Sequence, residues 1–116
     1  MKRILCADDD PGLQDVFPLI FSRAGYEVTM VDNGEQLLEN EFVLPDLFLL
    51  DKQLSGVDGM KICRFLKGQD STRDIPVIIV SASPNLDEQA KAAGADGFIE
   101  KPFKMKFMLE LLKKYI

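Results

Sequence analysis

The chain has 116 residues, enough for one domain with a single core, and 47% hydrophobic with 28% charged residues is an ordinary folded composition. A net charge of -5 argues against general nucleic-acid or anionic-membrane binding, because no basic excess exists to neutralise phosphates. Histidine is absent, which excludes a Ser-His-Asp triad, a histidine-ligated zinc site and a role as phosphohistidine donor.

In chain order, Met1-Lys2-Arg3 leads into only four apolar residues, Ile4-Leu5-Cys6-Ala7, too few for a signal peptide. No apolar run approaches transmembrane length, so the expected setting is the cytoplasm with no membrane contact. Arg3–Ala7 predicts the first strand, and the acids Asp8, Asp9 and Asp10 follow it. Asp10 suits a helix N-cap with Pro11 at the first helical position, and Leu13, Val16, Phe17 and Ile20 then repeat at helical spacing to about Ala24. Pro18 inside that helix predicts a kink. Gly25 falls where a C-terminal cap is expected, before a second strand at Glu27–Val31.

Leu47–Asp51 and Val77–Ser81 are continuously apolar up to their last residue, the mark of strands buried on both faces of a parallel sheet. Gly94 repeats the capping signal before a fifth strand, Gly97–Ile99. Five strands alternating with five helical patterns predict an α/β domain: a doubly wound five-stranded parallel sheet with helices on both faces. No linker or repeat divides residues 1–116, which read as one domain. The chain stops at Tyr115-Ile116, consistent with a whole one-domain protein or with a segment ending at a domain boundary. Cys6 and Cys63, in a predicted strand and a predicted helix, read as buried free thiols.

A doubly wound sheet binds ligands outside the carboxyl ends of its strands. Asp8 and Asp9 from the first strand, Asp51 from the third, Ser81 from the fourth and Lys101 after the fifth should therefore converge. Carboxylates crowded to about 5 Å at an effective dielectric near 20 repel by about 3 kcal/mol per pair. A hard divalent cation with oxygen ligands is the natural compensation. If Asp51 attacks phosphorus, a cation on Asp8, Asp9 and Asp51, the Lys101 ammonium and the Ser81 hydroxyl would each serve one phosphoryl oxygen.

At this point the chain resembles, over nearly its whole length, the receiver domain of two-component response regulators. The matching segments are Ile4–Pro11, Asp46–Asp51, Gly56-Val57-Asp58-Gly59, Val80-Ser81-Ala82 and Gly94–Phe103, in order and at that family's spacings. The resemblance implies the flavodoxin-like (βα)5 fold and a self-directed phosphoryl chemistry rather than turnover of a metabolite. By it, Asp51 accepts a phosphoryl group from a sensor histidine kinase or a histidine phosphotransfer protein. Asp8, Asp9, Asp51 and the backbone carbonyl of Gln53 hold Mg²⁺. Lys101 and Ser81 contact the phosphoryl group, the Lys101–Pro102 peptide is cis, and Ser81 with Phe98 forms the switch.

The loop after Asp51 departs from the family's methionine-proline pair, carrying Leu54-Ser55 instead. Gln53 and Ser83 stand at positions that tune acyl-phosphate lifetime in the family, and Phe98 lacks the hydroxyl of the frequent tyrosine. Gly97 stands where DNA-binding members often have an aspartate, which disfavours that subgroup; no direct nucleic-acid binding by the domain is expected. Asp58-Gly59 reads as a turn and helix start.

In the last helix, Met105, Met108, Leu109, Leu112 and Ile116 fall on one face and should pack on the sheet. Phe107 and Leu111 lie roughly opposite and are candidates for a partner surface, including a homodimer formed on phosphorylation. Two alternatives remain at this stage. A pseudo-receiver would keep the fold without phosphorylation, and an aspartyl-phosphate phosphatase would use the two-apart spacing of Asp8 and Asp10 but finds no cap domain here.

Overall fold

Strands without period-two alternation need cover on both faces, and the chain supplies it with helices on each side of one parallel sheet. The computed structural model describes residues 1–54 and 56–116. Its main strands are β1 (Arg3–Ala7), β2 (Glu27–Val31), β3 (Leu47–Asp51), β6 (Val77–Ser81) and β7 (Gly97–Glu100). They run in the order β2-β1-β3-β6-β7, which places β1 and β3 side by side at the reversal of strand order. Parallel registers such as Ala7↔Leu50 and Asp51↔Val80 bring the strand ends level.

Side chains alternate across each strand, so each strand feeds two cores. Leu5, Ala7, Phe48, Leu50, Val77 and Ile79 face one side, beneath helices α2 (Glu35–Leu38), α3 (Gly59–Lys67) and α4 (Leu86–Ala92). Ile4, Cys6, Leu47, Leu49, Ile78 and Val80 face the other, beneath α1 (Pro11–Arg23) and α5 (Met105–Lys113). Phe17 and Phe21 of α1 stack with ring centroids 5.0 Å apart, and each fully buried side chain of this size contributes about 1.5–3 kcal/mol. Met108 and Leu112 of α5 are fully buried against the same side.

Helix α1 opens as expected, with Asp10 Oδ1 accepting the Gly12 N–H at 2.8 Å, and it continues through Pro18 to Arg23. Gly25 follows at φ +95°, a conformation that glycine alone takes without strain. Helix α2 is a single turn, and the chain from Glu39 to Asp46 is irregular, anchored by Phe42 edge-on to Phe48 at 5.5 Å.

One element was absent from the sequence reading. Gln53–Leu54 (β4) and Val57–Asp58 (β5) pair antiparallel, with two-residue strands too short to leave a hydrophobic period. This ribbon delivers Gly59 beneath the end of β3, where its N–H donates to the Lys52 carbonyl at 2.6 Å. A Cβ at Gly59 would collide with the Asp51 carbonyl oxygen and lie 2.9 Å from Lys52 Cα. Only glycine fits, and it fixes the backbone that carries Asp51.

At the opposite end of the sheet, Lys67 Nζ sits 2.6 Å from Asp96 Oδ2 and donates to the carbonyls of Ile75 (2.9 Å) and Arg73 (3.1 Å). Asp96 Oδ2 accepts the Val77 N–H at 2.8 Å, and the Tyr115 hydroxyl donates to the Asp96 carbonyl at 2.8 Å. This network ties α3, the starts of β6 and β7 and the end of α5 together, away from the functional site.

Candidate functional site

Each strand that ends in a polar residue stops at the same edge of the sheet, so the chemistry collects where the apolar runs end. Asp8 (2% exposed), Asp51 (8%) and Ser81 (3%) are the buried polar groups there. Asp9 is exposed at the rim, and Lys101 is half-buried. Ligand oxygens of Asp8, Asp9 and Asp51 all lie within 4.8 Å of one another. The Lys101 ammonium enters from β7, 3.1 Å from Asp51 Oδ2 and 3.4 Å from Asp8 Oδ2. The Lys101–Pro102 peptide is cis.

The remaining carboxylate oxygens are held by backbone. Asp8 Oδ1 accepts the Asp10 N–H at 2.9 Å, and Asp51 Oδ1 accepts the Gln53 N–H at 3.2 Å. Gln14 Nε2 donates to the Asp8 carbonyl at 2.9 Å, and the Asp8 N–H donates to the Val31 carbonyl at 3.1 Å. The two buried acids are therefore set in position before any ligand arrives.

Burial, first, holds the Asp8 carboxyl above its ordinary value; the Asp10 N–H works against that rise and the Asp51 charge adds to it. For Lys101, burial disfavours the ammonium, but the hydrogen bond and charge of Asp51, with Asp8 behind it, outweigh burial and raise its pKa. Lys101 is thus a committed cation. Three carboxylates gather around the Lys101 ammonium in an all-oxygen site, which fits a hard divalent cation.

Asp9, Asp51, Gln53, Ser81, Ser83 and Lys101 line a hollow of about 370 Å³ over the carboxylates. The Ser81 hydroxyl is not idle: it donates to Ser83 Oγ at 3.0 Å and accepts the Ser83 N–H at 3.0 Å. Lys52 Nζ donates to the same Ser83 Oγ at 3.4 Å. Lys52 was missed by the sequence reading, because a lysine beside a strand end is usually surface. The Ser81–Ser83 spacing was the only available clue.

Other predicted residues fall elsewhere. Asp10 borders the hollow, yet its Oδ1 is spent on the cap of α1, which counts against the two-aspartate phosphatase arrangement. Asp58 caps α3 by accepting the Met60 N–H at 2.8 Å, the turn and helix start expected. Phe98 is half-buried and packs on the α2–α4 side of the sheet. Phe107 is 57% exposed, as the helix pattern suggests. Leu111 is half-buried: it packs partly on the α1–α5 core and also lines a surface hollow with Phe98 and Tyr115. Ser55, half of the departing Leu54-Ser55 pair, lies outside the described residues, whereas Leu54 is buried.

The parallel α/β sheet thus gathers three carboxylates, a hydroxyl and a lysine at one edge. The sequence matches the response regulator receiver domain over residues 4–113, and the chain belongs to that family. It is 36% identical over 113 residues to the DNA-binding dual master transcriptional regulator RpaA of Synechocystis sp., covering 94% of this chain and 46% of the relative. The receiver domain of the sensor histidine kinase PA1611 from Pseudomonas aeruginosa, solved with a coordinated magnesium ion, superposes with a TM-score of 0.87 at 29% identity. That match covers 98% of this chain and 96% of the other. The response regulator TrrA of Thermotoga maritima, in complex with Mg²⁺ and BeF, gives 0.85 at 28% identity with full coverage of both chains.

Membership places the chain in two-component signalling, in a family of signalling proteins rather than metabolic enzymes. The chain spans about half the length of the curated relatives it matches. Among the described residues, no helix is long and apolar enough to cross a membrane.

Proposed function

We propose that this chain is a phosphorylation-dependent switch that accepts a phosphoryl group on Asp51 from a phosphohistidine of a sensor kinase or phosphotransfer protein. The observation that carries the reading is the buried Asp51, held by Lys101 at 3.1 Å and sharing a 4.8 Å cluster with Asp8 and Asp9. Those three carboxylates, with the Gln53 carbonyl, would hold Mg²⁺, as the Mg²⁺-bound receiver structures support. When bound, the cation neutralises the carboxylates and the charge on the transferring group.

The chain's own residues do the rest. One Asp51 carboxylate oxygen forms a bond to phosphorus while the bond from phosphorus to the donor imidazole nitrogen breaks, and its electron pair returns to that nitrogen. Lys101 exchanges its Asp51 contact for a phosphoryl oxygen, and the Ser81 hydroxyl turns to donate to another. Backbone bonds from Asp10 and Gln53 keep the two acids from rotating away as this happens. In the reverse, self-directed step, water attacks phosphorus and Asp51 leaves as a carboxylate, releasing inorganic phosphate. Gln53 and Ser83, at the mouth, govern that water's approach.

Movement of Ser81 opens space toward β7, and Phe98 follows it by packing alone. The exposed Phe107 on α5 offers a surface for a downstream partner, or for a second copy on phosphorylation. The setting is cytoplasmic, consistent with two free buried thiols. The domain itself does not bind nucleic acid; the named DNA-binding relative is about twice the matched length and runs against the expectation drawn from Gly97.

Incubation with Mg²⁺ and acetyl phosphate, followed by intact mass, tests this. One phosphoryl group should be gained, requiring Mg²⁺ and lost in Asp51→Asn. No gain with any donor would leave a pseudo-receiver, and multiple turnover of a phosphate ester would make the chain a phosphatase.

A further inference from the structure

Lys52 is pinned in a way that directs its side chain. Its N–H donates to the Val80 carbonyl at 2.9 Å, and its carbonyl accepts the Gly59 N–H at 2.6 Å. From that fixed stem its ammonium reaches across to the loop after β6 and donates to Ser83 Oγ at 3.4 Å. Ser83 Oγ in turn lies 3.0 Å from Ser81 Oγ, and the Ser83 N–H occupies one Ser81 lone pair. Lys52, Ser83 and Ser81 thus form a continuous chain of polar groups that ends at the hollow over Asp51.

An ammonium can only donate, whereas a hydroxyl donates one hydrogen and accepts through two lone pairs. Ser83 Oγ accepts from Lys52, and the Ser81 and Ser83 hydroxyls, 3.0 Å apart, can share a hydrogen in either direction; when Ser81 donates, its hydrogen is turned away from Asp51. Suppose an anion now sits on Asp51. The Ser81 hydrogen can swing to it, and the Ser83 hydroxyl can reverse to donate to the second lone pair of Ser81 Oγ. The chain then runs in one direction: Lys52 to Ser83, Ser83 to Ser81, Ser81 to the anion. No proton is transferred; two hydroxyls rotate and keep their hydrogens.

Lys52 favours the second polarity. Its charge on Ser83 Oγ makes that oxygen a poorer second acceptor and its O–H a stronger donor, and successive donors polarise one another. We propose that Lys52 is a positioning residue, acting through Ser83, that turns the Ser81 hydroxyl toward the phosphoryl group on Asp51. This rests on the receiver reading above. It adds to that reading a residue that touches neither the phosphoryl group nor the metal site.

The test compares Lys52→Met, Lys52→Arg and Ser83→Ala, alone and with Ser81→Ala, after thermal unfolding shows each folded. Two readouts are taken with Mg²⁺ present: the labelling rate against acetyl phosphate concentration, and beryllofluoride affinity by calorimetry. Loss of one net hydrogen bond corresponds to about two- to tenfold. Lys52→Met should lower the saturating rate and the beryllofluoride affinity by that factor, leave the half-saturating donor concentration unchanged, and be rescued by Lys52→Arg. In Ser83→Ala or Ser81→Ala backgrounds, Lys52→Met should change nothing further. An equal Lys52→Met effect in those backgrounds would mean a through-space cation, and no effect in the parent would mean no relay; either overturns the proposal. A wild-type chain that takes neither probe overturns the receiver chemistry itself, which keeps the two failures distinct.

Discussion

Replacing Asp8 with Asn should stabilise the metal-free protein and abolish its response to Mg²⁺. Ligand oxygens of Asp8, Asp9 and Asp51 lie within 4.8 Å, where each like-charge pair costs about 3 kcal/mol at an effective dielectric near 20. An Asn relieves the two pairs that involve position 8, about 7 kcal/mol together, and forfeits an attraction of about 5 kcal/mol to Lys101 at 3.4 Å. Its side-chain carbonyl can still accept the Asp10 N–H. After screening on the exposed Asp9 side, the net gain should be about 1 kcal/mol. In urea, monitored by circular dichroism, that raises the midpoint by about 1 M.

The pH dependence fixes the cause. Asp8 has a native pKa raised above its unfolded value, so its ionisation costs stability only as pH climbs. The gap between wild type and Asp8→Asn should be absent in acid, open as pH rises from the ordinary carboxylate range through the raised native value, and stay constant above it. Millimolar Mg²⁺ should stabilise wild type in proportion to RT ln(1 + [Mg²⁺]/Kd) and leave the variant unmoved. A variant less stable than wild type at neutral pH, or equally stabilised by Mg²⁺, would refute the electrostatic reasoning.

Gly59→Ala should destabilise by about 2 kcal/mol or more, since its Cβ meets backbone of Asp51 and Lys52 that cannot yield cheaply, and phosphoryl uptake should fall with it; urea midpoints and intact mass measure both. Lys67→Met should cost about 1 kcal/mol in urea unfolding, because it leaves the exposed Asp96 carboxylate and two carbonyls without their cation, while Mg²⁺ binding stays unchanged. Burial pushes the Cys6 thiol far up and the Cys63 thiol to about 11, so a disulfide reagent at pH 8 should label neither in the native state and both in urea.

The strands were legible to the residue because their apolar runs end abruptly in acids and glycines. Only β7 ran one residue further than expected, to Glu100. The convergence of Asp8, Asp9, Asp51, Ser81 and Lys101 followed from strand ends alone, since a parallel sheet delivers them to one edge. What could not be read depended on contacts between distant segments. The β4–β5 ribbon is two residues a strand, and its purpose emerges only in Gly59 lying under Asp51. Lys52 is an ordinary loop residue until the end of β3 and the loop after β6 bring it to Ser83.

The most direct test of the central claim is to trap the modified residue. After Mg²⁺ and acetyl phosphate, borohydride reduction of an aspartyl phosphate gives homoserine at the acceptor, and peptide mass spectrometry locates it. The account predicts homoserine at position 51 alone, and none when Mg²⁺ is withheld. Homoserine at Asp8 or Asp9, or a phosphoryl group that survives reduction on another side chain, would contradict it.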